Sequence, residues 1–215
     1  MKKSGKNKAI AIKNPEDLKR MQNYLKYNNP KAYILFMIGL STGYRGGDLI
    51  HLTVADIKRA IETEELNVYE EKTKNTRKVK QIRTVYLNSK LIKILKDYVT
   101  GMQDAEYIYS SQKGDGKGIY KKCIRRDSLG KEFKKAAVAC GITNISIGTH
   151  TPRKTYGYIQ YITHDKDINY VQELFGHSSP KITKAYIGID DDILRESADV
   201  MDTYYSWQLE NIFIF

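Results

Sequence analysis

The chain has 215 residues, 41% of them apolar, which is enough to bury a sizeable core; a disordered chain is excluded, and one compact domain with appendages fits. Its formal charge of +11 and isoelectric point near 9.4 favour a polyanionic partner, with nucleic acid and an acidic membrane surface both open on composition alone. Cys123 and Cys140 lack CxxC spacing and no secretory leader is seen, so a reducing cytoplasm is expected; the longest apolar run, Ala32 to Leu40, is about half of the ~20 residues a bilayer span needs, so a soluble protein is expected.

Residues 1–13 carry five lysines and read as a flexible basic arm. Asn14-Pro15-Glu16-Asp17 predicts a helix start, with Asn as N-cap, Pro at the first helical position and two acids against the positive end of the helix dipole. Leu18, Met21 and Leu25 share one face of that helix, and Asn28-Asn29-Pro30 ends it. A more apolar helix over Tyr33 to Leu40 is expected in the core. In "STGYRGGDLIHL", Gly43, Gly46 and Gly47 permit tight backbone geometry around Arg45, and a short helix is expected up to Leu52. Segments 66–70 and 82–87 are rich in β-branched and aromatic residues; with "EKTKNTRKVKQ" between them they predict an antiparallel hairpin with a long basic tip. Asn88 caps a helix with Leu91, Leu95 and Tyr98 on one stripe, ended by Gly101, and "YIYSS" reads as a third short strand. The glycine-rich "QKGDGKG" that follows lacks the Gly-Lys-Ser/Thr ending of a nucleotide-binding loop.

Leu129, Phe133, Ala136, Ala137 and Cys140 form another apolar stripe, stopped by Gly141, on which Cys140 reads as a small core residue rather than a nucleophile. A helix beginning in "HTPRKTYGY" comes next, then one from Ile168 to Phe175 capped by Asp167 and closed by Gly176, then one opened by Ser179-Pro180 and running through Tyr186. The fold class this describes is α+β: a mostly helical domain with a small three-stranded antiparallel sheet. From Gly188 to Phe215 seven acids stand against Arg195, so this tail carries −6 and residues 1–187 carry +17. The basic charge belongs to the body of the protein.

Four stretches place polar, cationic or nucleophilic side chains where the backbone turns or a helix begins: "TGYRGGDL", "EKTKNTRK", "HTPRKTYGY" and "LFGHSSPKITKAYIGI". Each is weak alone. His150 and Arg153 are three positions apart, on one helical face, and arginine offers the planar fork that grips phosphate oxygens in pairs. Two arginines, two histidines, a lysine on a hairpin and a tyrosine are together what metal-free phosphoryl transfer needs. Attack on a phosphodiester builds negative charge on the non-bridging oxygens, which fixed cations stabilise. A tyrosine with an ordinary pKa of ~10 needs help to lose its proton, and the leaving 5′ oxygen needs one supplied.

Arg45 in "STGYRGGDLIHL", His150 and Arg153 in "HTPRK", and "LFGHSSPKITKAYI", with His177 nine residues before Tyr186, resemble the ordered boxes of the tyrosine recombinases, the phage integrase family, over roughly residues 14–187. The resemblance implies that Arg45 and Arg153 clamp the scissile phosphate, that His150 and His177 assist, and that Tyr186 becomes joined to the DNA 3′ phosphate. It implies a general-acid lysine on the hairpin, Lys72 with Lys74 as substitute, and a buttress for Arg45 in Asp48, where the family more often has Glu. Lys154, Arg77 and Lys78 are further candidates for DNA-phosphate contact. Pro152 replaces the leucine common in the second box and suits the first turn of a helix. Members typically carry a helical DNA-clasping domain before the catalytic part, so with only residues 1–13 ahead of it a short member or a catalytic fragment is expected.

The expected activity is therefore that of a site-specific DNA recombinase or integrase working through a 3′-phosphotyrosyl intermediate without metal or ATP. Double-stranded DNA is the expected partner, with a tetramer on DNA and a monomer in solution as the expected states. The tail, residues 188–215, is expected to pack in cis or on a neighbouring protomer. A non-catalytic or topoisomerase-like DNA-binding relative is the alternative. A metal nuclease using His150, His177 and Cys140 is a third reading, for which the spacings match no HExxH or paired CxxC pattern.

Overall fold

The first helix begins where Asn14 dictates: its side-chain oxygen accepts from the Glu16 backbone N–H at 2.8 Å, and α1 runs Pro15–Asn28 with Met21 and Leu25 buried. A computed structural model of the chain describes residues 8–69, 82–111, 122–190 and 192–201, and the chain divides into two units, residues 1–159 and 160–215. Asn29 ends α1 and caps α2 (Pro30–Thr42), accepting from Ala32 N at 3.1 Å. Helix α2 is buried on nearly every side, through Ala32, Ile34, Leu35, Phe36, Ile38 and Gly39, as a core helix must be. Its end is set by Gly43, whose φ of 67° lies in the left-handed region that costs glycine nothing.

The short helix α3 (Gly46–Leu49) is followed by α4 (Val54–Thr63), for which the sequence reading has no assignment. Its start is a reciprocal capping box, Thr53 Oγ1 accepting from Asp56 N and Asp56 Oδ2 accepting from Thr53 N, and Val54, Ile57 and Ala60 are buried at helical spacing. Strands β1 (Glu65–Tyr69) and β2 (Ile82–Tyr86) pair antiparallel in register, Glu65 opposite Tyr86 and Tyr69 opposite Ile82. Helix α5 (Ser89–Val99) buries Leu91 and Leu95 beneath an Asn88 cap, and α6 (Arg126–Ala139) buries Leu129, Phe133, Ala136 and Ala137. Phe133 meets Phe36 edge to face at 5.3 Å, which joins α6 to α2 in the core.

Two expectations change. Among the described residues the sheet has two strands and not three. The third segment turns at residues 108–109, where Ser110 Oγ donates back to Tyr107 O at 3.2 Å, and makes only isolated bridges, Tyr107 with Thr53 and Ser110 with Cys123. Within the stretch expected as a flexible arm, Ala11 and Ile12 are buried, Ile10 N donates to Ser146 O at 2.7 Å, and Ile12 N donates to Thr155 Oγ1 at 2.9 Å. The apolar pair "AI" docks, and only residues 1–7 lie outside the described residues at this end.

Helix α7 (Thr151–Thr163) begins one residue after His150 and carries the rest of the "HTPRK" stretch. In the second unit, α8 (Ile168–Phe175) is capped by Asp167 and closed by Gly176 at φ 62°, and α9 (Pro180–Ile187) is capped by Ser179. Residues 192–201 are helical, and Glu196 pairs with Lys166 at 2.8 Å in this unit. No helix among the described residues is long and apolar enough to cross a membrane.

Candidate active site

In the first unit, two loops far apart in sequence are locked against each other. Arg45 occupies the N-cap of α3 in extended backbone, and its guanidinium Nη1 lies 3.9 Å from Oδ2 of Asp48, whose side chain is only 2% exposed. Gly46, next in the chain, packs so closely on the turn before α7 that a Cβ there would meet Thr149 O at 2.9 Å and Thr149 Cβ at 3.0 Å. Three residues before Gly46, the carbonyl of Gly43 accepts a hydrogen bond from Nη1 of Arg153. The two contacts bracket Arg45 and bring it to the segment carrying His150 and Arg153.

The turn that presents His150 is self-braced: Thr151 N donates to Gly148 O at 3.0 Å and Gly148 N donates to Thr151 Oγ1 at 3.0 Å. His150 is partly exposed, and its carbonyl accepts from Lys154 N in the first turn of α7. Pro152 packs onto α2, its Cβ 3.0 Å from where a side chain on Gly39 would begin. The departure from leucine is thus matched by a glycine on the facing helix. Arg153 is only 1% exposed, so it is not the outward-pointing fork that helix periodicity alone suggests. It places a cation beneath the Gly43–Arg45 loop, where a low dielectric strengthens its field.

Lys154 is half-buried; burial, then the nearby Lys8 charge, push its ammonium below the ordinary lysine value. Tyr156 and Tyr158 are partly buried, and Lys13 lies over the Tyr158 ring at 5.2 Å. Burial pushes the Cys140 thiol up, with Arg20 lowering and Asp17 raising it less strongly, which suits an inert packing residue. No group of three or more His, Cys, Asp or Glu placed to hold a metal ion occurs among the described residues.

In the second unit the αL turn at Gly176 sends the chain from α8 into α9 and brings the rings of His177 and Tyr186 to 5.1 Å, near perpendicular at 73°. Phe175 backs both, at 5.2 Å from His177 and 5.5 Å from Tyr186. His177 Nδ1 lies 3.1 Å from Thr183 Oγ1, and that hydroxyl donates its own proton to Ser179 O at 3.3 Å. Thr183 is thus placed to accept from Nδ1–H, the tautomer in which Nε2 carries the ring's lone pair. Gln172 Nε2 holds the His177 carbonyl at 3.1 Å. The sequence reading missed Thr183; a buried threonine one turn after a helix cap, six residues past His177, is its signal.

Arg45, Asp48, His150 and Arg153 thus belong to the first unit, His177 and Tyr186 to the second. Lys72, Lys74, Arg77 and Lys78 lie outside the described residues.

Comparison with solved structures gives the fold the class of tyrosine recombinase catalytic domains. XerA recombinase superposes with a TM-score of 0.65 at 18% identity, over 94% of this chain and 67% of that one. XerH site-specific recombinase, in a post-cleavage complex with palindromic difH substrate, gives 0.63 at 21% identity, over 91% of this chain and 54% of that one. The family model of the phage integrase family matches residues 13–192, and the chain belongs to that family. A relative from Bacillus subtilis (strain 168), "Probable integrase/recombinase YoeC", is 34% identical over 88% of this chain and 94% of its own length.

Proposed function

We propose that this protein is a site-specific DNA recombinase or integrase that cuts and rejoins duplex DNA through Tyr186, with no metal or nucleotide taking part. The observation that carries the reading is the His177–Tyr186 pair: two rings nine residues apart in sequence lie at 5.1 Å, with Nδ1 of the histidine fixed by Thr183. Tyr186 Oη attacks phosphorus, its proton passing to His177 Nε2 or to another group of the cationic site, and the bond from phosphorus to the 5′ oxygen breaks. The 5′ oxygen takes a proton from Lys72, with Lys74 as substitute. The 3′ phosphate stays on Tyr186, and a 5′ hydroxyl attacking that ester reverses the step. The phosphodiester energy is retained in the protein–DNA link, so no ATP is consumed.

Arg45 and Arg153 supply the cationic surroundings for the non-bridging oxygens, aided by His150, and Asp48 orients Arg45. Three cationic or donor groups, Arg45, Arg153 and His150, can stabilise that charge as a divalent ion does in other phosphoryl-transfer sites. Lys154, Arg77 and Lys78 are proposed contacts to the flanking phosphates. On the family resemblance, a tetramer on DNA with the tail after residue 188 packed in cis or on a neighbour is the assembly proposed.

A nicked suicide duplex carrying the target site tests this. The wild-type chain is expected to form an SDS-resistant adduct on it that Tyr186→Phe cannot form. An adduct that persists in that variant excludes Tyr186 as the nucleophile. Salt-sensitive duplex binding without any adduct marks a non-catalytic relative instead.

A further inference from the structure

Tyr44, immediately before Arg45, is a fully buried tyrosine (1% exposed) whose hydroxyl ends between two carbonyls of the hairpin. Its Oη lies 2.7 Å from Leu66 O in β1 and also contacts Arg83 O in β2, so one phenolic proton is shared across both strands. The side chain of Arg83 returns toward the same loop: Nη2 donates to Thr42 O at 3.4 Å, and the guanidinium carbon lies 5.1 Å from the centre of the Tyr44 ring. Thr42 is itself fixed, its hydroxyl donating to Ile38 O at 2.6 Å and accepting from Tyr44 N at 3.3 Å. The circuit closes on residues 42–44 and leaves Arg45 as the next residue, held on its other side by Gly46 against Thr149.

We infer that Tyr44 and Arg83 are positioning residues that fix the Arg45 loop to the strand pair, so that the Arg45 guanidinium meets the scissile phosphate already aligned; this rests on the role given to Arg45 above. Sheet packing alone does not explain the pair. Nη1 of Arg83 is buried without a hydrogen-bond partner among the described residues, an arrangement that costs stability and that an aliphatic side chain avoids. A phenylalanine at position 44 would fill the same space without tying the loop to both strands. Preorganised charge is what such anchoring supplies, because a cation misplaced by about 1 Å can cost on the order of 100-fold in rate.

The test compares adduct formation on two suicide duplexes, one with the natural phosphate at the cleavage position and one with a methylphosphonate, in which a neutral methyl replaces a charged oxygen. Arg45→Ala, which removes the cation outright, is expected to lose far more rate on the phosphate than on the methylphosphonate. Tyr44→Phe is expected to be slower by about tenfold or more on the phosphate and by less than about threefold on the methylphosphonate, with duplex affinity unchanged. Arg83→Met, which keeps the Tyr44 hydroxyl, carries the same expectation and serves if Tyr44→Phe folds poorly. Equal losses on the two duplexes, or no loss on either, overturn the inference. If Arg45→Ala shows no relief on the methylphosphonate, the role of Arg45 fails and the inference falls with it; relief for Arg45→Ala alone overturns only the inference.

Discussion

Gly46 and Thr149, 103 positions apart, approach so closely that the first carbon of any side chain at Gly46 would meet the Thr149 carbonyl oxygen at 2.9 Å. Backbone lies on the far side of that contact, so the loop cannot yield without moving His150 or Arg45. Gly46→Ala is expected to slow adduct formation by about tenfold or more and to cost about 1–3 kcal/mol in urea unfolding. Gly47→Ala is the control. Its new carbon meets only Arg126 Cδ at 3.5 Å, so stability should change by less than about 0.5 kcal/mol.

The two arginines of the first unit should separate stability from activity. Arg153 is 1% exposed and bonded to the Gly43 carbonyl, whereas the Arg45 side chain is 20% exposed. Arg153→Ala is expected to lose about 3 kcal/mol, because it opens a cavity and leaves a buried carbonyl without its donor. Arg45→Ala is expected to lose adduct formation and, because its contact with buried Asp48 is a long 3.9 Å, to cost less stability than Arg153→Ala. Thermal denaturation of the two variants beside the suicide-duplex assay checks both.

Thr183 is buried, and its hydroxyl fixes Nδ1 of His177 at 3.1 Å. Thr183→Val keeps the volume and removes the acceptor, so the imidazole loses its fixed tautomer. Adduct formation should fall about tenfold and its pH profile should shift, while Thr183→Ser restores both. A purely structural role would leave the pH profile where it was.

Burial, reinforced by the negative potential of Tyr109 and Glu106, pushes the Tyr98 phenol up to about 12, and its hydroxyl donates to Ile108 O at 2.7 Å. The unfolded phenol ionises near pH ~10, so above that value the unfolded chain releases a proton that the folded chain retains. The stability Tyr98 contributes is therefore complete below pH ~10 and lost as pH rises through the folded value. Urea midpoints are expected to fall between pH 9.5 and pH 11.5, about as far as a practical titration reaches, and to fall less in Tyr98→Phe.

Much of this protein was written locally. Asn14, Asn29, Asn88, Asp167 and Ser179 each accept from a backbone N–H one turn into the helix that they start, an interaction settled by a few neighbouring residues. Helix α4 is equally legible in the sequence through its Thr53 and Asp56 capping box. The third strand failed: "YIYSS" has strand composition, but pairing needs a partner, and its neighbours offer only single bridges.

The sequence by itself determined the helix starts and the hairpin, because caps and periodicity are short-range properties, and it carries the ordered residues Arg45, His150, Arg153, His177 and Tyr186, whose resemblance to known boxes marks the family. Only the tertiary structure decided that Arg153 lies inside beneath the Arg45 loop, that Gly46 is pressed on Thr149, that Thr183 orients His177, and that Tyr44 bridges two strands. Those are contacts between residues up to 110 positions apart or side-chain directions within a turn, and both are fixed by close packing, which no local pattern encodes.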